Sequence, residues 1–432
     1  MPETPPPALP APLPERCDVL VVGAGPAGSA CAQWLARAGW KVLLVDQHGF
    51  PRDKVCGDGL IPDSHHALQR LGVHAEVMAA AQAATHVGCI GPRGGRIDVP
   101  GRLAVLPRRQ LDDILKRAAE RAGAVFHAPW RFEAPLFDGD GSDRGDAATV
   151  VGARLRHTAS GTEARVQARW VVLATGAVPR ALLAAGVCER HTPSGIALRG
   201  YVQNDAMAGR LTALEVVWHK RLRQGYGWIF PCGDGVFNIG VGLAHSHAKD
   251  ADGKGSMRDV NLRALFATFT EVYAPAAALM QGGTLLGDGI GELKGAPLRC
   301  SLEGARYGRP GLLVTGEAAG STYAFSGEGI GKAMETGILA AEALLAGAAA
   351  GETEAATRAR YDGALAVLKP RFALYERANR VNDHPWLADL LIWRARRSPR
   401  ILRRMAGVLE ETGNPGNLVS LRGIARLFLP IR

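Results

Sequence analysis

The chain has 432 residues, a hydrophobic content of 47% and a formal net charge of +10. That is enough apolar material for two or three domains or one large composite one, and no uninterrupted apolar run reaches the 18 or so residues that span a bilayer. Seven cysteines with no C-x-x-C pair argue for reduced thiols over a disulfide or zinc framework, and no aromatic-and-basic motif accompanies the positive charge to suggest nucleic acid.

Seven prolines in the first fourteen residues and no signal-peptide pattern read as a disordered leader over residues 1–15 and predict a cytoplasmic protein. Val19 to Val22 is an aliphatic run expected as a buried strand. Gly23, Gly25 and Gly28 follow in G-x-G-x-x-G spacing: the first for a tight turn, the second for close approach of a pyrophosphate, the third for helix–strand packing. Ser29 to Ala38 predicts a helix stopped by Gly39, its N-terminus offering free N–H groups and partial positive charge to phosphates. A second strand, Lys41 to Val45, ends at Asp46, 18 residues past Gly28 and close to the spacing of a ribose-binding carboxylate. Strand, glycines, helix, strand and acid in that order predict a dinucleotide site and leave NAD and FAD both open.

Residues 50–60, Phe-Pro-Arg-Asp-Lys-Val-Cys-Gly-Asp-Gly-Leu, predict an irregular loop. Cys56, between Lys54 and the glycines 57 and 59, reads as placed beside something that approaches the backbone, against the plainer reading of a small buried filler. Leu111, Leu115 and Ala118 recur at helical spacing up to a stop at Gly123; Arg108, just ahead, reads by itself as a surface arginine. Residues 138–146 are a solvated loop, and Trp170 to Leu173 a strand running into Ala-Thr-Gly-Ala. Between 195 and 300 the texture changes to period-two alternation, at Ile196–Val202, Leu214–Trp218 and Val236–Val241, expected as antiparallel strands. They enclose Tyr226-Gly-Trp228-Ile-Phe230-Pro231, and residues 256–279 predict one or two helices. Leu312 to Val314 is a strand followed by a glycine-rich turn and an alanine-rich helix, a second helix N-terminus aimed at a ligand. From residue 352 the chain reads as helical. From Arg360 to the end, fourteen Lys and Arg face six Asp and Glu, a net +8 interleaved with Trp386, Leu387, Leu390, Leu391, Ile392 and Trp393; this reads either as a solvated face or as a surface for anionic lipid headgroups or a diphosphate.

Four of these segments together resemble the geranylgeranyl reductase family of FAD-dependent oxidoreductases, within the aromatic-hydroxylase-like flavoproteins. They are Gly23-Ala-Gly25-Pro-Ala27-Gly28 with Asp46; Pro51-x-x-Lys54-x-Cys56-Gly57; Tyr226-x-Trp228-x-Phe230-Pro231; and Gly316-Glu317-Ala-Ala-Gly320 with Gly327-Glu328-Gly329-Ile330. The resemblance spans about residues 16 to 400. It implies an α/β, Rossmann-type FAD-binding domain of the glutathione-reductase and aromatic-hydroxylase kind at 16–190 and 301–351, an antiparallel-sheet substrate domain at 191–300 and a basic helical region at 352–432. It implies FAD over NAD, since both glycine-rich turns serve FAD. By position, Asp46 would bind the adenosine ribose, Ala27, Cys56, Gly57 and Gly59 would line the cofactor, and Arg108, heading the family's R-x-x-L-D, would contact it. The Glu317 turn would serve the ribityl and pyrophosphate, with Gly329 and Ile330 at the isoalloxazine ring.

The implied activity is reduction of isolated C=C bonds in a polyprenyl lipid or isoprenoid. The reduced flavin delivers a hydride to one alkene carbon and an acid protonates the other. Cys56 is the candidate proton relay, and Tyr226 and Trp228, with Phe230, wall the substrate channel. A rival is a flavin monooxygenase or halogenase acting on a small aromatic metabolite, and a third reading is a flavin or lipid carrier without chemistry. Tyr at 226, where halogenases of this fold carry Trp, favours the reductase. Two departures matter: Glu317 stands for the usual Asp, and Thr175-Gly176 for the Asp-Gly tied to NADPH use, which leaves the donor open between NAD(P)H and a ferredoxin-like protein. The basic tail suggests peripheral contact with the inner face of the membrane.

Overall fold

The computed structural model describes residues 12–139, 145–222, 224–244, 260–287 and 292–414. Most of the proline-rich leader, most of the 138–146 loop, the start of the 256–279 segment and residues 415–432 lie outside the described residues.

In chain order, β1 (Arg16–Val22), α1 (Pro26–Arg37) and β2 (Val42–Val45) open the fold. Next come β3 (Gly59–Leu60), α2 (Pro62–Arg70), α3 (His74–Ala80) and the hairpin β4 (Gln82–Ile90) to β5 (Arg96–Val105). They lead to α4 (Arg108–Arg121), β6 (Val125–His127), β7 (Trp130–Phe137), β8 (Val150–His157), β9 (Glu163–Leu173) and α5 (Arg180–Ala184). The middle of the chain gives β10 (Gly195–Gln203), β11 (Leu214–Val217), β12 (Gly225–Gly233) and β13 (Val236–Ala244). It continues with α6 (Leu262–Val272), α7 (Ala274–Gln281), β14 (Thr284–Leu286) and β15 (Lys294–Leu298). The last part holds β16 (Gly308–Arg309), β17 (Leu312–Val314), α8 (Ile330–Ala349) and α9 (Glu354–Ala378). Then α10 (Arg380–Asp383), α11 (Trp386–Ala395) and α12 (Pro399–Leu409) complete the described chain.

The first sheet runs β16-β17-β9-β1-β2-β6, with β7 and β8 added beside β9. Its centre is parallel, β1 between β2 and β9 and β17 beyond β9. Alternate residues divide between two cores, as the period-two geometry of a strand requires. Leu20, Val22, Leu43 and Val45 pack with Trp130, Phe132 and Leu155 on one face. Val19, Val21, Val42 and Leu44 pack with Cys31, Leu35, Leu344 and Tyr361 on the other, under α1, α8 and α9. A strand buried on both faces reads as an unbroken apolar run, which is why β1 and β2 were visible in the sequence.

The second sheet runs β14-β10-β13-β12-β11-β4-β5-β3, with β15 also on β10, and is antiparallel except where β11 pairs β4. Three of its strands, β3 to β5, come from residues 59–105, so the sheet draws on chain well outside the 191–300 stretch in which alternation announced it. The reason is that β4 and β5 are short of apolar alternation, carrying His86, Arg96 and Asp98 among their exposed and half-buried positions. One face of this sheet packs Ile229, Phe237, Ile239 and Val241 against Phe266 and Phe269 of α6. The other face is left to line a cavity.

Candidate active site

The glycine turn divides its work as the spacing predicts. Gly23 has φ +102, and a Cβ there would lie 2.3 Å from Ala174 O. A Cβ on Gly28 would lie 1.8 Å from Gly23 O, so helix and turn touch directly. Gly25 is different. Its φ of −76 suits any residue, and a Cβ would meet only the guanidinium tips of Arg52 and Arg108, at 3.6 and 3.8 Å. Neither backbone strain nor internal packing demands glycine at 25; a Cβ there would point into the open space of the cavity. No side chain caps α1, and none caps α8, whose N-cap is Gly329. Two helix N-termini with unsatisfied N–H groups therefore face one cavity, an arrangement suited to an anionic ligand.

That cavity has a volume of about 920 Å³. It gathers Gly23, Gly25, Ala27, Asp46, Cys56, Gly57, Gly59, Arg108, Glu317, Gly329 and Ile330 from the first sheet and its turns, and Tyr226 and Trp228 from the second. Of the glycines in the G-x-G-x-x-G turn, Gly23 and Gly25 are on its wall and Gly28 is not, being held in the helix–turn contact.

Asp46 closes β2 and is buried; its Oδ2 accepts from Ala24 N at 2.9 Å and its Oδ1 from His48 N at 3.0 Å. It thus ties the glycine turn to the second strand while facing the cavity. Glu317 lies in a short turn at Gly316–Ala319, beside Thr322. The turn sits tight on α1, since a Cβ on Gly316 would come 2.5 Å from that of Ala27.

The surface reading of Arg108 is corrected. It is the first residue of α4, buried, and its Nε and Nη2 grip the two oxygens of Asp112 at 2.7 and 2.9 Å. The i, i+4 spacing of Arg108 and Asp112 sets both on one face of the helix, a signal that was present in the sequence. Its guanidinium lies against the Cys56 thiol. Burial pushes that thiol above its ordinary pKa and Arg108 pulls it partly back, so at neutral pH Cys56 keeps its proton.

The loop carrying Cys56 is held by groups the sequence reading did not single out. Asp58, at φ 65 and fully buried, accepts from Tyr201 Oη at 2.5 Å, from Asn238 Nδ2 at 2.8 Å and from Arg108 N at 3.3 Å. Burial outweighs these donors and holds its carboxyl up at about 6. Arg199 Nη2 binds Asp53 at 2.7 Å and Lys54 O at 2.8 Å. Arg52 reaches Asp112 at 3.1 Å and lies 3.6 Å from Asp46, with its guanidinium near Gly25. Asp58 and Glu328 each stand between two glycines, which is where a signal lay. Arg52, Arg199 and Asn238 had none, because their partners are distant in sequence.

Tyr226, Trp228 and Phe230 occupy alternate positions of β12 and so share the cavity face. Gly227 between them faces α6, where a Cβ would collide with the Phe269 ring at 2.4 Å. Tyr226 Oη donates to Ser326 O, and Trp228 Nε1 to Asn238 Oδ1 at 2.8 Å. Phe230 packs over Gly57 and Gly59; a Cβ would come 3.2 Å from its ring at 57 and 3.4 Å at 59. Beyond the aromatics the wall is apolar: Leu391 and Ile392 of α11 and Met405, Val408 and Leu409 at α12. The cavity is polar at the glycine turn and greasy at the C-terminal helices.

A fold of this kind, with a cavity joining two helix N-termini to an apolar channel, defines an FAD-dependent oxidoreductase; residues 16–220 match the FAD binding domain family. The donor set fits the cofactor, with Gly25 open to the cavity between two guanidiniums and the buried Thr175 Oγ1 left without a partner at the end of β9. The chain belongs to the geranylgeranyl reductase family. It is 32% identical over 363 residues to the menaquinone reductase of Mycolicibacterium smegmatis, covering 77% of each chain. It is 29% identical over 350 residues to the digeranylgeranylglycerophospholipid reductase of Methanosarcina mazei, covering 78% of this chain and 77% of that one. Its fold superposes on a geranylgeranyl bacteriochlorophyll reductase-like protein from Thermoplasma acidophilum with a TM-score of 0.67, at 21% identity and 96% of both chains.

Proposed function

We propose that the enzyme reduces C=C bonds in an isoprenoid chain, with the prenyl tail of a quinone as its first candidate substrate and other polyprenyl lipids next. The observation that carries this reading is the continuity of the cavity: one space runs from the glycine turns past Cys56 to a channel of Tyr226, Trp228, Phe230 and the aliphatic faces of α11 and α12. The relatives named for menaquinone and for a digeranylgeranyl lipid support the substrate class.

Bound FAD supplies the two electrons of the reduction. The chain supplies the rest. Gly25 and the α1 N-terminus receive the pyrophosphate, Asp46 the adenosine ribose, and the Glu317 turn and the Gly329–Ile330 helix start the ribityl and ring. An isolated alkene has no polar handle, so the aromatic wall holds the chain by shape and fixes which double bond meets the ring. Closing the channel with apolar helices keeps water from the reacting centre. Cys56 holds a proton at Sγ for the second alkene carbon, kept in place by burial and steered by Arg108. The electron donor is NAD(P)H or a ferredoxin-like protein.

The test is anaerobic incubation of the dithionite-reduced enzyme with menaquinone, geranylgeranyl diphosphate and a digeranylgeranyl lipid, read by mass for additions of two hydrogens. Oxygen-dependent hydroxylation or halogenation of a small aromatic, with no mass gain on any prenyl compound, assigns the monooxygenase or halogenase reading instead.

A further inference from the structure

Helix α11 has two apolar faces. Leu387, Ala388, Leu391 and Ile392 turn inward, where the last three line the cavity. Trp386 and Trp393 turn outward, 56% and 43% exposed, among the few large apolar side chains left open to solvent. Their spacing of seven sets them one above the other on the helix, with Leu390 half-buried between them. The stripe continues to Arg397, whose guanidinium lies over the Trp393 ring at 5.1 Å. A core-packed helix buries one stripe; this one has a second, amphipathic in the manner of an interfacial helix, with tryptophans flanked by arginine.

The charge around it is one-sided. From residue 380 to 409 there are seven arginines and two aspartates. Arg396, Arg397, Arg400, Arg403 and Arg404 are exposed, and the last three have no carboxylate partner among the described residues. Of the two acids, Asp389 is turned toward the β4–β5 turn, where it accepts from Arg93 N at 3.1 Å. Glu410 and Glu411 follow, the second engaged by Lys332 and Arg371, and the sequence from 415 to 432 adds three arginines and no acid. A flat protein partner would have to match this run of unpaired cations residue by residue. A bilayer of anionic lipid matches it without register and also accepts the two indoles at headgroup depth.

We infer that the outer face of α11, with the arginines of α12, docks the enzyme on an anionic membrane surface, and that α11 is the partition between the bilayer and the channel. The docking stands on the surface alone; the role as a partition, across which a lipid-dissolved chain passes, rests on the isoprenoid-reductase reading above. A substrate that enters beside Trp386 and Trp393 reaches Leu391, Ile392 and Met405 within the thickness of one helix.

The experiment is co-sedimentation of the FAD-loaded full-length enzyme with phosphatidylcholine vesicles, with and without about a third phosphatidylglycerol. The wild type is expected to bind the anionic vesicles and to be released at about 0.5 M salt, where exposed charges are screened. The double variant Trp386→Ser/Trp393→Ser and the triple Arg400→Gln/Arg403→Gln/Arg404→Gln should each lose about tenfold or more in binding while retaining FAD. Both should keep wild-type turnover of prenyl substrate in detergent micelles and lose it only on vesicles. Undiminished vesicle binding by the tryptophan variant overturns the proposal. So does a wild-type dimer in sedimentation velocity that this variant dissociates, which would make a second copy the occupant. Absence of turnover in micelles together with normal vesicle binding sinks the reductase reading and leaves the docking face standing.

Discussion

Trp228 and Asn238 meet diagonally across the β12–β13 hairpin, Asn238 standing opposite Phe230; the indole Nε1 donates to the amide Oδ1 at 2.8 Å, and the same amide donates through Nδ2 to Cys56 O and Asp58 Oδ2, each at 2.8 Å. One fully buried side chain thus fastens the aromatic wall to the loop that bears the candidate acid. Asn238→Leu is expected to destabilise the protein by about 2–4 kcal/mol, since it strands a buried indole N–H and takes a donor from Asp58. Chemical denaturation measures the loss. A variant as stable as wild type would mean water replaces the amide.

Gly25 and Gly28 should fail in different ways. Gly28→Ala puts a methyl 1.8 Å from Gly23 O and is expected to cripple folding, seen as low soluble yield and a lowered Tm. A Cβ at 25 meets only movable arginine tips, so the Gly25→Val apoprotein should keep its circular dichroism spectrum and its apo Tm while losing the yellow FAD absorbance. Stoichiometric FAD in the purified Gly25→Val protein would place the pyrophosphate elsewhere.

Cys56→Ser should retain FAD, because the loop's backbone donors and its anchors on Asn238 and Arg199 are untouched. Reduction of the bound flavin by its donor should also survive. Prenyl reduction should fall by about 100-fold or more, the size of a general-acid contribution. Cys56→Ala should be no better. Near wild-type turnover in both variants would leave the thiol a packing group, and loss of FAD in both would make it part of the cofactor cradle.

Two carboxyls beside α8, the buried Asp63 and the half-buried Glu328 on the cavity wall, give the protein a pH signature. Burial, with Asp63 and Glu411 nearby, pushes Glu328 from 4.5 to about 8, while Lys332 and Ser326 pull it down; burial pushes Asp63 to about 7. Raised carboxyl pKa values mean the folded state holds protons the unfolded chain gives up. Their stabilising contribution is present at acid pH and lost as pH rises from about 4.5 to about 8. Tm is therefore expected to drop between pH 6 and pH 9, and Glu328→Gln, which cannot ionise, should flatten that drop. Parallel profiles for the two proteins in differential scanning fluorimetry would show that Glu328 is already charged at pH 6.

The sequence alone determined the parts of this protein whose causes are local. A strand buried on both faces must be continuously apolar, so β1 and β2 announced themselves. A turn with φ +102 and a helix start touching it must be glycine, so Gly23 and Gly28 fell in readable spacing. Tyr226, Trp228 and Phe230 shared a face because a strand alternates. Those constraints, with the resemblance they supported, were enough for the α/β fold and for FAD.

What only the tertiary structure decided was how those parts meet. Residues 59–105 enter the substrate sheet because β11 pairs in parallel with β4 from more than a hundred residues earlier, a pairing no local pattern encodes. Arg108 is buried because the Cys56 loop closes over α4. Asn238 and Arg199 matter because strands β13 and β10 bring them under that loop. Tail residues such as Leu391 and Met405 become channel wall because α11 and α12 fold back over the second sheet, leaving Trp386 and Trp393 on the outside. Local residue types set which elements form; which side chain ends buried, paired or exposed depends on contacts between segments far apart in the chain, and those exist only once the two sheets and the C-terminal helices have packed.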